Sequence, residues 1–374
     1  MHWIILYAIG AAQALLLALA LWRRPANAAA NRVLAAWVAL VGVDLAVKAT
    51  FMADPGPELL RAFRLVALLP FVYCAAFYLY VRTLTTARPL RARDAVHLAG
   101  FLAVLAYAGW RTGPGSSWLG VLATPLSGAG GERLVVYDLL LFGWAFGYLG
   151  AALARVHRYR RRLRARRSDA DRMSLRWIDS MAACQVVIWT IALAHGVGHV
   201  PGVGYELIYG AVAAWVFVVG WFSLGQPPVA PEVEADDGAA DEGADAQAGD
   251  AGDSADDARF DDVQARLQAL MEGEELYREP ALAIAEVARR SGYPEYLVSA
   301  VINRRFGCNF WEYVNRHRVE AVRAHLADPA DGRTILDIAW ACGFTSKSTF
   351  NAAFKRQVGT TPSAYRRRAA GGSG

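Results

Sequence analysis

Before residue 225 the apolar positions of this chain come in long unbroken runs, and after residue 258 they come on one side of a helix at a time. Seven runs stand out: 3–22, 33–53, 65–84, 95–110, 134–154, 178–197 and 205–224. Each is near the roughly 20 residues that an α-helix needs to cross about 30 Å of hydrocarbon, and the fourth is the shortest. The C-terminal rhythm is different. Val298, Ile302, Phe306, Gly307 and Tyr313 recur 52 positions later as Phe350, Phe354, Val358, Gly359 and Tyr365, a helix-spaced apolar row running into a glycine stop and a tyrosine. Upstream of each row, Glu286-Val287-Ala288 with Gly292-Tyr293 is matched at offset 51 by Asp337-Ile338-Ala339 with Gly343-Phe344. A short helix, a glycine turn and a second helix make a helix-turn-helix, so the pattern predicts two such units in an all-α chain.

Composition sharpens the division. Hydrophobic residues are 55% of the 374, and since the long runs lie before residue 225 the excess describes a membrane region. With the N-terminus outside, the inward loops hold 17 arginines, ten of them from Arg155 to Arg176, and the outward loops hold 4. That asymmetry puts the C-terminal end in the cytoplasm, and an odd number of spans requires the same. Residues 1–22 read as a retained span: no positive charge precedes the run, and Arg23-Arg24 follow it. From Glu232 to Asp257 there are eleven carboxylates and no Lys or Arg, so 225–258 is expected to be a disordered acidic linker. The net charge of +5 conceals a basic C-terminal end, with 12 basic and 5 acidic residues from Arg304 onward, a balance suited to a polyanion.

The doubled unit resembles the DNA-binding domain of AraC/XylS-type transcription regulators over roughly residues 260–368. The likeness is densest in Ile335-Leu336-Asp337-Ile338-Ala339, Gly343-Phe344-Thr345-Ser346, Phe350, Phe354-Lys355, Gly359, Thr361-Pro362 and Tyr365-Arg366. The resemblance implies two helix-turn-helix units joined by a long helix, here about Trp311 to Leu326, which set two recognition helices into successive major grooves. In the first copy Pro294 stands where a helix-capping Ser or Thr is common, and Val301-Ile302-Asn303 replaces a more usual Leu-Phe-Lys. The expected organisation is a seven-span sensor region (1–224), the acidic linker (225–258), the double helix-turn-helix domain (259–368) and a flexible tail (369–374).

In the second unit Phe350, Phe354 and Val358 must face the core, which leaves Lys347, Ser348, Asn351, Ala352 and Lys355 on the opposite face. Asn and Ser can read base edges, and Lys can read guanine or hold a phosphate. By repeat register the first unit presents Glu295, Tyr296, Ser299, Ala300 and Asn303, with Arg304, Arg305, Lys355, Arg356 and Arg366 as phosphate contacts. In the membrane region Asp44 and Lys48, at i, i+4, form either a self-satisfied pair or a ligand or gating site. His195 and His199 have the same spacing and could report external pH, but no third metal ligand is evident and no metal is assigned. The ten-arginine loop reads as a retention signal that contacts anionic lipid. Cys74, Cys184, Cys308 and Cys342 have neither metal-ligand nor redox spacing.

No catalytic constellation emerges and no cofactor is implied. The expected function is that of a bacterial inner-membrane one-component regulator, not an enzyme. It would bind double-stranded promoter DNA in response to a membrane or extracytoplasmic signal, with lipid, RNA polymerase and a second copy of the chain as candidate partners. The alternative is a membrane enzyme or transporter with an attached, self-regulating DNA-binding domain.

Overall fold

The computed structural model describes residues 2–86, 88–112, 135–173, 175–196, 200–226, 229 and 253–371. Among them the chain is all-helical, with an isolated antiparallel bridge between Arg167 and Ala283. Two compact units divide it, 1–157 with 175–233 and 158–174 with 234–374.

The first unit contains α1 (His2–Arg23), α2 (Ala28–Ala53), α3 (Pro57–Val66), α4 (Pro70–Thr86), α5 (Ala99–Thr112), most of α6 (Val135–Arg166), α7 (Arg176–Gly196) and α8 (Tyr205–Leu224). Among the described residues, five segments are long and apolar enough to cross a membrane: α1, α2, α3 with α4 taken together, α7 and α8. The run 95–110 begins instead in a 3-10 turn, Ala92–Leu98, and continues as the 14-residue α5. The run 134–154 is the first part of the 32-residue α6, whose end is rich in arginine. Small residues let α1 lie close to its neighbours: a Cβ at Gly10 would meet Ala213 Cβ at 2.9 Å. The end of α1 is tied to the end of α8, because Arg24 donates to the carbonyls of Ser223 at 2.5 Å and Gln226 at 2.6 Å.

The second unit is built around α12 (Phe310–Ala327), which follows α9 (Asp253–Gln268), α10 (Ile284–Ser291) and α11 (Glu295–Arg305) and precedes α13 (Ile335–Ala341), α14 (Lys347–Val358) and α15 (Pro362–Gly371). Helix α9 begins inside the segment expected to be linker, so the folded part starts before residue 259. The physical reason is the row Phe260, Val263 and Leu267, which enters the first apolar cluster with Val287, Val298, Ile302 and Tyr313. A second cluster holds Ile338, Phe344, Phe350 and Phe354. Helix α12 serves both, giving Phe310, Tyr313 and Val314 to the first and Val319, Val322 and Leu326 to the second. Its start is fixed by a capping box in which Asn309 and Glu312 satisfy each other's backbone donors. Arg318, fully buried on α12, reaches back to the turn that precedes α10 within the same unit, donating to Tyr277 O and Glu279 O, each at 2.7 Å. Burial pushes its pKa down to about 10, and these carbonyls replace the water it has lost.

Candidate nucleic-acid interface

Helix α14 starts and stops where its sequence says it should. Ser346 caps it by accepting from Thr349 N at 3.1 Å, and Gly359 ends it in the left-handed region at φ 75°. Between those ends Phe350 and Phe354 are fully buried, and Thr349 and Ala353 are buried beside them. Lys347, Ser348, Asn351, Ala352, Lys355 and Arg356 are consequently exposed together. Arg356 also forms an ion pair with Glu312, so it is held against the cap of α12.

Helix α11 presents its face with less precision. Its N-cap is Pro294, which offers no side-chain acceptor, and the missing cap was legible in the sequence. Val298 and Ile302 are buried, while Glu295, Tyr296, Asn303 and Arg304 are exposed and Ser299 and Ala300 are half-buried at the edge. Tyr296 is 69% exposed, a large aromatic surface on a face otherwise polar. Besides Arg356, two more of the arginines expected on phosphate have protein partners. Arg305 pairs with Asp257 at 2.8 Å and Asp261 at 3.0 Å from α9, and Arg366 donates to the carbonyls of Arg333 and Asp331 at 2.7 and 2.5 Å. Arg366 is thereby a brace between α15 and the loop before α13. Arg304 stands over the Phe260 ring at 5.5 Å.

The first compact unit brings together residues that sequence spacing had left as separate pairs. Asp44 and Lys48 are buried at 3% exposure each and 2.6 Å apart. Tyr73 donates to Asp44 at 3.1 Å, and the Lys48 ammonium lies 3.6 Å from the centre of the Tyr209 ring. Tyr209 stacks on Tyr205, and Tyr205 meets His195 edge-on at 4.4 Å. His195 Nδ1 is 2.7 Å from Val203 O, while His199 lies outside the described residues. Sequence reasoning missed the three tyrosines; the available signal was a phenol inside an apolar run, which needs a polar partner. Among the described residues no group of three or more His, Cys, Asp or Glu could hold a metal ion.

A helix-turn-helix domain family matches residues 287–368. The probable transcription factor PqrA of Proteus vulgaris is 33% identical over 92 residues, which are 25% of this chain and 74% of that protein. The regulatory protein SoxS of Salmonella typhimurium is 30% identical over 102 residues, 27% of this chain and 94% of that protein. The melibiose operon regulatory protein of Escherichia coli is 33% identical over 89 residues, 24% of this chain and 29% of that protein. No solved structure matches. Through its C-terminal domain the chain belongs to the AraC family of helix-turn-helix transcription regulators, and it is a transcription factor rather than an enzyme.

Proposed function

We propose that this chain is a membrane-bound one-component regulator that binds promoter DNA in response to a membrane or extracytoplasmic signal. The observation that carries the reading is one chain holding five helices able to cross a membrane and, further on, two helix-turn-helix units with polar faces turned away from their cores. The membrane region spans seven times, with α5 and α6 as the fourth and fifth crossings. The N-terminus is outside, and the DNA-binding domain is in the bacterial cytoplasm on its acidic linker. Ser348 and Asn351 read bases in one groove, Tyr296, Ser299 and Asn303 in the next, and Lys347, Lys355, Arg304 and Arg356 hold phosphates. The chain Asp44, Lys48, Tyr209, Tyr205 and His195 is the sensing element. A buried ion pair braced by aromatics has two arrangements that a signal can choose between, and charges at membrane depth are costly enough to need such a role.

A genome-wide binding map made with the intact protein tests this, with Asn351→Ala as a second arm. The wild type should collect at a defined promoter sequence. The variant should lose about 1 to 3 kcal/mol there and relax preference within one half-site. An intact protein that enriches no sequence would overturn the reading.

A further inference from the structure

The ten-arginine loop contains a stretch that lipid contact does not explain. Residues 158–174 belong to the compact unit of the DNA-binding domain, and Ser168, Asp169 and Ala170 are 0%, 4% and 2% exposed within it. The Ser168 amide donates to Leu282 O at 3.0 Å, and Arg167 bridges to Ala283, so this stretch meets the entrance to the first helix-turn-helix. The Ser168 carbonyl accepts from Asn315 Nδ2 at 3.0 Å, in the middle of α12. Asn315 Oδ1 in turn accepts from Arg318. Ala170 sits in the second apolar cluster with Phe350 and Phe354, Leu163 packs against that cluster, and Arg164 lies 5.6 Å over the Trp311 ring. One short stretch therefore touches both helix-turn-helix units and the helix that joins them. Both backbone polar groups of Ser168 are satisfied by the domain, as a buried segment demands and a loop merely crossing a surface does not. Its apolar contribution is slight, one alanine and a partly buried leucine, so it can leave without dismantling either core.

We propose that residues 158–173 are an intramolecular regulatory ligand of the DNA-binding domain. Docked, they fix the setting of the two helix-turn-helix units relative to each other. Undocked, they let that setting vary. The proposal rests on the membrane-regulator reading. Helix α6 runs from the fifth crossing directly into this stretch, so a shift of α6 of the size that switching helices make, about 1 to 2 Å, pulls on the contact. A fixed setting matters only when both recognition helices bind at once, so docking favours a two-groove operator and leaves a single half-site unaffected.

The test uses the full chain in lipid nanodiscs, as wild type and as Ala170→Glu, which sets a charge against the second cluster while leaving every residue of the helix-turn-helix units as it is. Hydrogen exchange should show 168–171 protected in the wild type and unprotected in the variant, with 347–358 protected in both. Affinity for a duplex carrying the full operator should fall about tenfold in the variant, the scale of an ordinary coupling, and affinity for a single half-site should not change. The proposal is overturned by an unprotected 168–171 in the wild type. It is equally overturned by loss of protection in 347–358, which would make the stretch part of the fold instead of a ligand. Equal affinity of both proteins for the full operator refutes the coupling alone, whereas a wild type that binds neither duplex refutes the DNA-binding reading with it.

Discussion

Among the described glycines of the DNA-binding domain, Gly343 is the one whose position leaves no room for a Cβ. It has φ 89°, and a Cβ there would meet Tyr277 O at 2.5 Å, the same carbonyl that accepts from Arg318. Gly343→Ala should cost about 1 to 3 kcal/mol for the backbone conformation alone, and the clash with an already engaged carbonyl adds to it. Hydrogen exchange should therefore speed up in α13 and α14 and stay slow in α10 and α11; unchanged exchange in α14 would disprove the contact. A second residue responds to pH. His317 stacks on Tyr277 and meets Tyr313 edge-on, and burial holds its pKa below the usual 6.5. The folded state prefers the neutral ring, so its contribution is complete above the unfolded value of about 6.5 and is lost as pH falls through that value toward the lower folded one. Opening of the Tyr313–His317 turn, corrected for intrinsic exchange, should become easier between pH 7.5 and 5.5, and His317→Gln should flatten the profile. An identical profile in the variant would assign the pH effect elsewhere.

At the scale of elements, charge pairing decides how much of the basic face is available. Helix α9 commits Asp257 and Asp261 to Arg305, at the end of α11, the helix proposed to carry the first recognition face. Replacing both aspartates with Asn should release Arg305, tighten DNA binding at low salt and steepen the salt slope by about one. Exposed pairs are worth only about 0 to 1 kcal/mol, so the gain should be a few-fold and should vanish at high salt. Equal affinity at every salt concentration would show that Arg305 never reaches phosphate. The same helix shows where composition misleads. An acidic average through residue 258 predicts disorder, yet Phe260, Val263 and Leu267 supply an apolar row just beyond it, and the helix grows back from that row to Asp253. Helix α14 was legible because every signal is local: the Ser346 cap, the Phe350 and Phe354 row and the Gly359 stop. The Ser168–Asn315 contact was not, because neither residue belongs to a periodic row and 147 positions separate them. The link from Lys48 to His195 through Tyr209 and Tyr205 was hidden for the same reason, since side chains from α2, α7 and α8 meet only after the helices have packed.

At the scale of the whole molecule, the proposed function places the end of the chain on the cytoplasmic side, in line with the arginine asymmetry, and an odd number of crossings satisfies it. Five and seven are both odd, so the location of the C-terminal domain cannot distinguish them; the side of the membrane on which residues 113–134 lie can. If only the five apolar segments cross, the chain is inside after α4 and stays there until α7, and the region around Gly128 is cytoplasmic. If α5 and α6 cross as well, that region faces outward, and the basic end of α6 still emerges inside, beside the other arginine-rich loops. A reporter active only in the cytoplasm, fused after Gly225, should work under either count, and its silence would end the account of a cytoplasmic DNA-binding domain. The same reporter at Gly128 should be silent, because α6 carries its apolar residues in its first part and its arginines at its end, the order of a helix that enters from outside and stops at the inner surface. Activity at Gly128 would reduce the bundle to five crossings, make α5 and the start of α6 part of the cytoplasmic side, and leave the docked stretch 158–173 without a membrane helix to pull on it.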